Sequence, residues 1–94
     1  MTTDRITRRG RIAYVSDQPD DKGTARGGEE FSITRFDDGR MIQRAHCRIT
    51  APPDVERDSV VAVNANLRPV DAYVRIETGG KFTGTGWYVF GSDS

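Results

Sequence analysis

The sequence predicts an all-β fold, a curved antiparallel meander of about six strands, open like half a barrel. Three observations carry that reading. Glycines and prolines punctuate the 94-residue chain every eight to twelve residues. No window shows helical periodicity or a heptad pattern. Between the breaks, apolar and polar residues alternate with the period of two that puts successive side chains on opposite faces of a sheet.

Composition sets limits on this sheet. Only 35% of residues are apolar, 30% are charged and ten are Gly, so the core is thin and no stretch reads as a membrane span. The length fits one β domain over residues 1–94, with 1–9 expected as a flexible N-terminus and 17–29 as a mobile loop. Fourteen basic and fourteen acidic side chains cancel, which removes the simplest argument for nucleic acid. Twelve of the bases are Arg. Charge is nonetheless uneven, at +3 over residues 1–16 and −3 over residues 17–30. A single Cys excludes a disulfide framework and a Cys-built zinc site. No apolar segment follows the Arg-rich start, so a cytoplasmic location is expected.

The first strand is read as Gly10 to Ser16, with Ile12 and Tyr14 on one face and Ala13 and Val15 on the other. Asp17 to Gly28 holds Pro19, three Gly and nothing apolar larger than Ala25, and reads as a loop. Glu30 to Phe36 and Arg40 to Ile49 form a hairpin around Asp37-Asp38-Gly39. A three-residue loop pairs Phe31 with Ala45, Ile33 with Gln43 and Arg35 with Met41. That register separates apolar from polar better than a two-residue loop, and gives Gly39 the left-handed position of a bulge. Pro52-Pro53 then breaks the ladder.

Ser59 to Asn66 and Val70 to Thr78 make a second hairpin. Pairing Ala65 with Ala72 sets Val63 opposite Val74 and Val61 opposite Ile76, with a four-residue loop from Leu67 to Val70. The last strand, Lys81 to Phe90, follows Gly79-Gly80. A two-residue Gly-Gly loop would pair Thr78 with Lys81 and bring Trp87 and Val89 to the core face. A three-residue loop brings Phe82, Gly84, Gly86, Tyr88 and Phe90 there and is preferred, because it buries three aromatics. Either way the strand carries large apolar groups on both faces and calls for cover on both. The sheet is therefore expected to be completed by a dimer partner or by a missing C-terminal half.

The candidate ligand surface is Val61, Val63, Val74, Ile76, Phe82, Gly84, Gly86, Tyr88 and Phe90, a concave apolar face suited to a small apolar ligand. A second candidate is the basic face of Arg40, Arg44, His46 and Arg48, spaced by two and fit for phosphate, carboxylate or single-stranded nucleic acid. The bland alternative for this stripe is a solvated face neutralised by cross-strand pairs such as Glu30 with His46. His46 is the only histidine, and Cys47 falls on the opposite, apolar face, so no Cys–His nucleophile and no His-built metal site is expected. Asp17, Asp20 and Asp21 lack the spacing of a calcium loop. No catalytic constellation and no cofactor motif is visible, so the expected role is non-enzymatic.

The successive hairpins ending in Phe82-Thr83-Gly84-Thr85-Gly86-Trp87-Tyr88 resemble, in outline, bacterial half-barrel carriers of the lipoprotein-carrier type. The likeness covers residues 30–90 at the level of topology. It implies a curved sheet that holds an acyl chain on a concave apolar face. Three roles follow as expectations. The first is a binding module for a small apolar or amphipathic ligand, the second an interaction domain pairing through its edge strand. The third is single-stranded nucleic-acid binding through the Arg40–Arg48 face.

Overall fold

In a computed structural model, residues 4–50 and 52–91 are described. Six strands follow one another: β1 (Arg5–Val15), β2 (Ala25–Phe36), β3 (Met41–Ile49), β4 (Val55–Val63), β5 (Pro69–Thr78) and β6 (Lys81–Val89). They form one antiparallel sheet in the order β1-β2-β3-β4-β5-β6, a meander that does not close into a barrel. Strong contacts run only between consecutive strands. The sheet spans 54 × 26 × 22 Å, and a flat layer one strand thick could not reach 22 Å in its thinnest direction. It is therefore strongly twisted and coiled.

A single layer leaves the interior nearly empty. Among the described residues Cys47 is the one buried hydrophobe, and Ser16 and Thr34 are the buried polar residues. The radius of gyration is 16.5 Å, against about 13 Å for a compact chain of this size. No helix among the described residues is long and apolar enough to cross a membrane.

The β2–β3 hairpin has the register its alternation predicts, with Phe31, Ile33 and Arg35 opposite Ala45, Gln43 and Met41. Asp37-Asp38-Gly39 is closed by Phe36 N–H donating to the Arg40 carbonyl at 2.9 Å, and Gly39 takes φ +94°. The Asp38 carboxylate accepts from the Arg40 backbone N–H at 3.0 Å and from its guanidinium at 2.7 Å. The backbone bond is the main reason its pKa lies below the ordinary carboxylate value, with the Arg40 side chain adding to it.

Boundaries and registers differ from expectation in several places, β4 among them, which runs Val55–Val63 and not Ser59 to Asn66 because it pairs with β3 from Ile49 back to Met41. β1 starts at Arg5, so 5–9 belong to the sheet and are not a flexible arm; residues 1–3 lie outside the described residues. β2 starts at Ala25, because its glycines Gly27 and Gly28 let the backbones of β1, β2 and β3 come close. The loop is thereby cut to Ser16–Thr24, and its own bonds staple it. Ser16 Oγ donates to Asp21 Oδ1 at 2.6 Å and accepts from Gln18 N–H at 3.1 Å, and Arg26 pairs with Asp21.

Register differs as well. The β4–β5 pairing is slipped by four residues from the expected one: Val61 faces Ala72, Ser59 faces Val74 and Arg57 faces Ile76. The turn chemistry decides this. The Asn64 side-chain oxygen accepts from the N–H groups of Asn66 and Arg68 at 2.9 and 3.1 Å, and Leu67 takes the left-handed conformation at φ 63°. Pro69 then opens β5, where a missing N–H is tolerated. The slip is even, so every side chain stays on its expected face.

The last hairpin combines both expected alternatives. Gly79 and Gly80 both have positive φ, 60° and 79°, and form a two-residue turn that pairs Thr78 with Lys81. Glu77 then faces Phe82, but Ile76 faces Gly84, so Thr83 is an unpaired bulge. That extra residue returns Gly84, Gly86 and Tyr88 to the face of Ile76, Val74 and Ala72 while leaving Phe82 on the other.

Replacing Asn64 by Ala leaves two loop N–H groups without their protein acceptor. Urea unfolding should register a loss of about 1 kcal/mol. Asn64→Asp, which keeps the accepting oxygen, should lose much less. Equal losses in the two variants would remove the Asn64 oxygen as the organiser of this turn.

Candidate functional site

Two faces result from the period of two and the observed registers. On the apolar face, one row across the sheet reads Ile12, Glu29, Cys47, Arg57, Ile76 and Gly84. The next reads Gly10, Phe31, Ala45, Ser59, Val74 and Gly86, and the third Arg8, Ile33, Gln43, Val61, Ala72 and Tyr88. Val63 lies beside Met41 at the following level. The face thus carries apolar groups from all six strands, and among the described residues no second layer packs over it.

Of the predicted ligand residues, Val61, Val63, Val74, Ile76, Gly84, Gly86 and Tyr88 share this face. Phe82 does not. The Thr83 bulge turns it to the polar face, where the Arg75 guanidinium lies 4.7 Å from its ring centre. Phe90 falls just beyond β6, its N–H donating to the Val70 carbonyl at 3.0 Å. The sequence reading missed the half of the face built by β1–β3, namely Ile6, Ile12, Phe31, Ile33 and Met41. The hairpin register already grouped Phe31, Ile33 and Met41; what joins them to Val61 is the pairing of β3 with β4.

Aromatic rings fill the glycine gaps. The Phe31 ring occupies the space that a Cβ at Gly10 would need, and the Tyr88 ring lies over Gly86. Tyr14 reaches over the sheet to Cys47, its hydroxyl sharing a hydrogen bond with Sγ at 3.7 Å. That bond, followed by partial desolvation and the nearby Glu29 charge, holds the Tyr14 pKa above the ordinary tyrosine value.

A shallow trough of about 190 Å³ sits on this face, lined by Ile6, Arg8, Ile33, Arg35 and Met41. Among the described residues neither arginine has a carboxylate within ion-pair distance. The trough therefore sets two uncommitted cations against an apolar floor.

The polar face is different. Arg44, His46 and Arg48 project from β3 onto it; Arg44 lies between Ser32 and Val60, and acids flank the other two. His46 lies between Glu30 and Asp58 in register, with Nε2 3.7 Å from Glu56 and 4.0 Å from Asp58. Arg48 Nε is 3.8 Å from Glu56, and Arg11 pairs with Glu30 at 3.3 Å. Arg40 sits in the β2–β3 turn, committed to Asp38 and stacked 4.7 Å from the Phe36 ring. A depression of about 380 Å³ on this face is lined by both signs, including Arg9, Glu30, Arg44, His46 and Asp58. Cross-strand pairing of this kind leaves little net field to hold a phosphate backbone. No group of three His, Cys, Asp or Glu among the described residues is placed to hold a metal.

Comparison with protein-family models, curated proteins and solved structures finds no match.

The Tyr14–Cys47 contact has a consequence in alkali. A raised phenol pKa means the neutral ring stabilises the fold fully below the ordinary tyrosine range, about pH 10, and that contribution is lost as pH climbs through the raised value. In an ultraviolet absorbance titration Tyr14 should ionise above the ordinary tyrosine range, and Cys47→Ala should bring it down. An unmoved titration in the variant would remove the sulfur as the cause.

Proposed function

We propose that the chain is a non-catalytic binding sheet whose apolar face takes an amphipathic anion, an apolar chain ending in a carboxylate or similar group. One observation carries this reading: an apolar face built by all six strands with no second layer over it among the described residues, and Arg8 and Arg35 at one end of it. Apolar surface of this extent in water costs about 25 cal/mol per Å², so a molecule that covers it gains what the fold leaves unburied. The cations give such a molecule an orientation, with its head at the β1–β2 end and its chain running across Ile33 and Met41 toward Val61 and Val63. The resemblance to half-barrel acyl carriers points to the same ligand class. The polar face supports the nucleic-acid alternative less, because Arg11, His46 and Arg48 lie against Glu30, Glu56 and Asp58.

A dansyl-labelled fatty acid titrated into the folded protein should show saturable fluorescence enhancement. Reversing both cations, Arg8→Glu with Arg35→Glu, should weaken it about tenfold, the scale of losing a charge-assisted contact. Absence of saturable binding would overturn the proposal, and so would binding indifferent to the two arginines.

A further inference from the structure

The two edges of the sheet are unlike. β1 presents Arg5, Arg8, Arg9 and Arg11 along one edge, the charged guard that keeps open edges apart. Two copies meeting β1 to β1 would bring these arginines together. β6 has one charge, Lys81, and it lies at the turn, before the Thr83 bulge. Beyond the bulge the strand runs Gly84 to Val89 with no charge and no proline, and Trp87 and Val89 are each 70% exposed. None of the usual protections covers this stretch.

We propose that β6 is an association edge and that its occupant is β6 of a second copy, paired antiparallel about a two-fold axis normal to the sheet. The elimination rests on charge: β1–β1 contact is repelled, whereas β6–β6 contact closes as a two-fold dimer. The glycines set the register. No atom stands within 4 Å of where a Cβ at Gly84 would lie, so the space above it is open. Elsewhere in this sheet such a space is filled by a cross-strand ring, Phe31 over Gly10. Centring the pairing on Gly86 sets Gly84 opposite the partner's Tyr88, twice by symmetry, and the ring that rests over its own Gly86 in the single chain turns across into that space. The same register also sets Thr85 opposite the partner's Trp87, and leaves each Lys81 beyond the partner's Val89. Because the axis is normal to the sheet, side chains keep their faces. The apolar face of one copy continues into that of the other, and the dimer is a single sheet of twice the width.

Sedimentation velocity on the purified 94-residue chain tests this. The expected species is a dimer. Thr85→Lys with Val89→Lys should convert it to a monomer whose far-ultraviolet circular dichroism is unchanged, while the same lysine pair on β1, Thr7→Lys with Ala13→Lys, should leave the mass at that of a dimer. Tyr88→Phe should keep the dissociation constant, and Tyr88→Ala should raise it about tenfold, since the ring over the partner's Gly84 is lost. A monomeric wild type at every concentration would overturn the proposal. So would dissociation by the β1 pair and not the β6 pair, or equal behaviour of the two Tyr88 variants. Fatty-acid probe binding reads the trough at the β1–β2 end of the face, away from β6: its failure in a chain that still dimerises counts against the ligand reading alone.

Discussion

A sheet one layer thick satisfies its backbone but cannot bury its side chains, and the rest of this structure follows from that constraint. Each inner strand finds ladder partners on both sides, so the peptide groups are paired without any second element. The side chains have no such economy. Isolated sheets usually gain stability by packing one face against a helix or another sheet. Here a buried sulfur, Cys47 under Tyr14, is as near to a core as the chain comes. Local devices carry an unusual share of the order: the Asn64 turn, the Ser16–Asp21–Arg26 staple, and rings laid over glycines.

The two faces solve their exposure differently. On the polar face, charges of opposite sign alternate across strands, so Arg11, His46 and Arg48 are met by Glu30, Glu56 and Asp58. Such pairs are solvated and individually worth little, but they cancel the field that an Arg-rich strand would otherwise project. On the apolar face there is no comparable compensation. Ile6, Ile12, Ile33 and Tyr88 stand more than a third exposed, and among the described residues Arg8 and Arg35 at the trough have no carboxylate within ion-pair distance. A face left in that state has its free energy lowered by whatever covers it, which places binding and folding of this sheet in the same balance.

Edges complete the picture. A meander has exactly two, and these carry opposite chemistry: arginines along β1, aromatic and aliphatic groups along the far half of β6. Charge on one edge directs association to the other, the ordinary logic by which sheets avoid indiscriminate pairing. The bulge at Thr83 belongs to the same scheme. It ends regular pairing near Lys81, and it sorts the last strand so that Tyr88 joins the apolar face while Phe82 is held under Arg75.

Alternation of side chains was enough, by itself, to establish an all-β meander, the register of the β2–β3 hairpin, and the division of Val61, Val63, Val74 and Ile76 from Arg44, His46 and Arg48. It works because a one-residue slip inverts both faces and is visible as misplaced polarity. The same rule explains its failures. A slip of four residues in β4–β5 leaves every residue on its face, so polarity cannot detect it; the hydrogen bonds of Asn64 and the pairing of Val55 with Ile49 decide it. Phe82 was misplaced because a bulge adds one residue without any mark in the alternation. Only the tertiary structure fixed how β1 pairs with β2 and β3 with β4, and with that decided how far the apolar face extends, since the register between strands joined by long loops is a matter of long-range pairing that local periodicity does not encode.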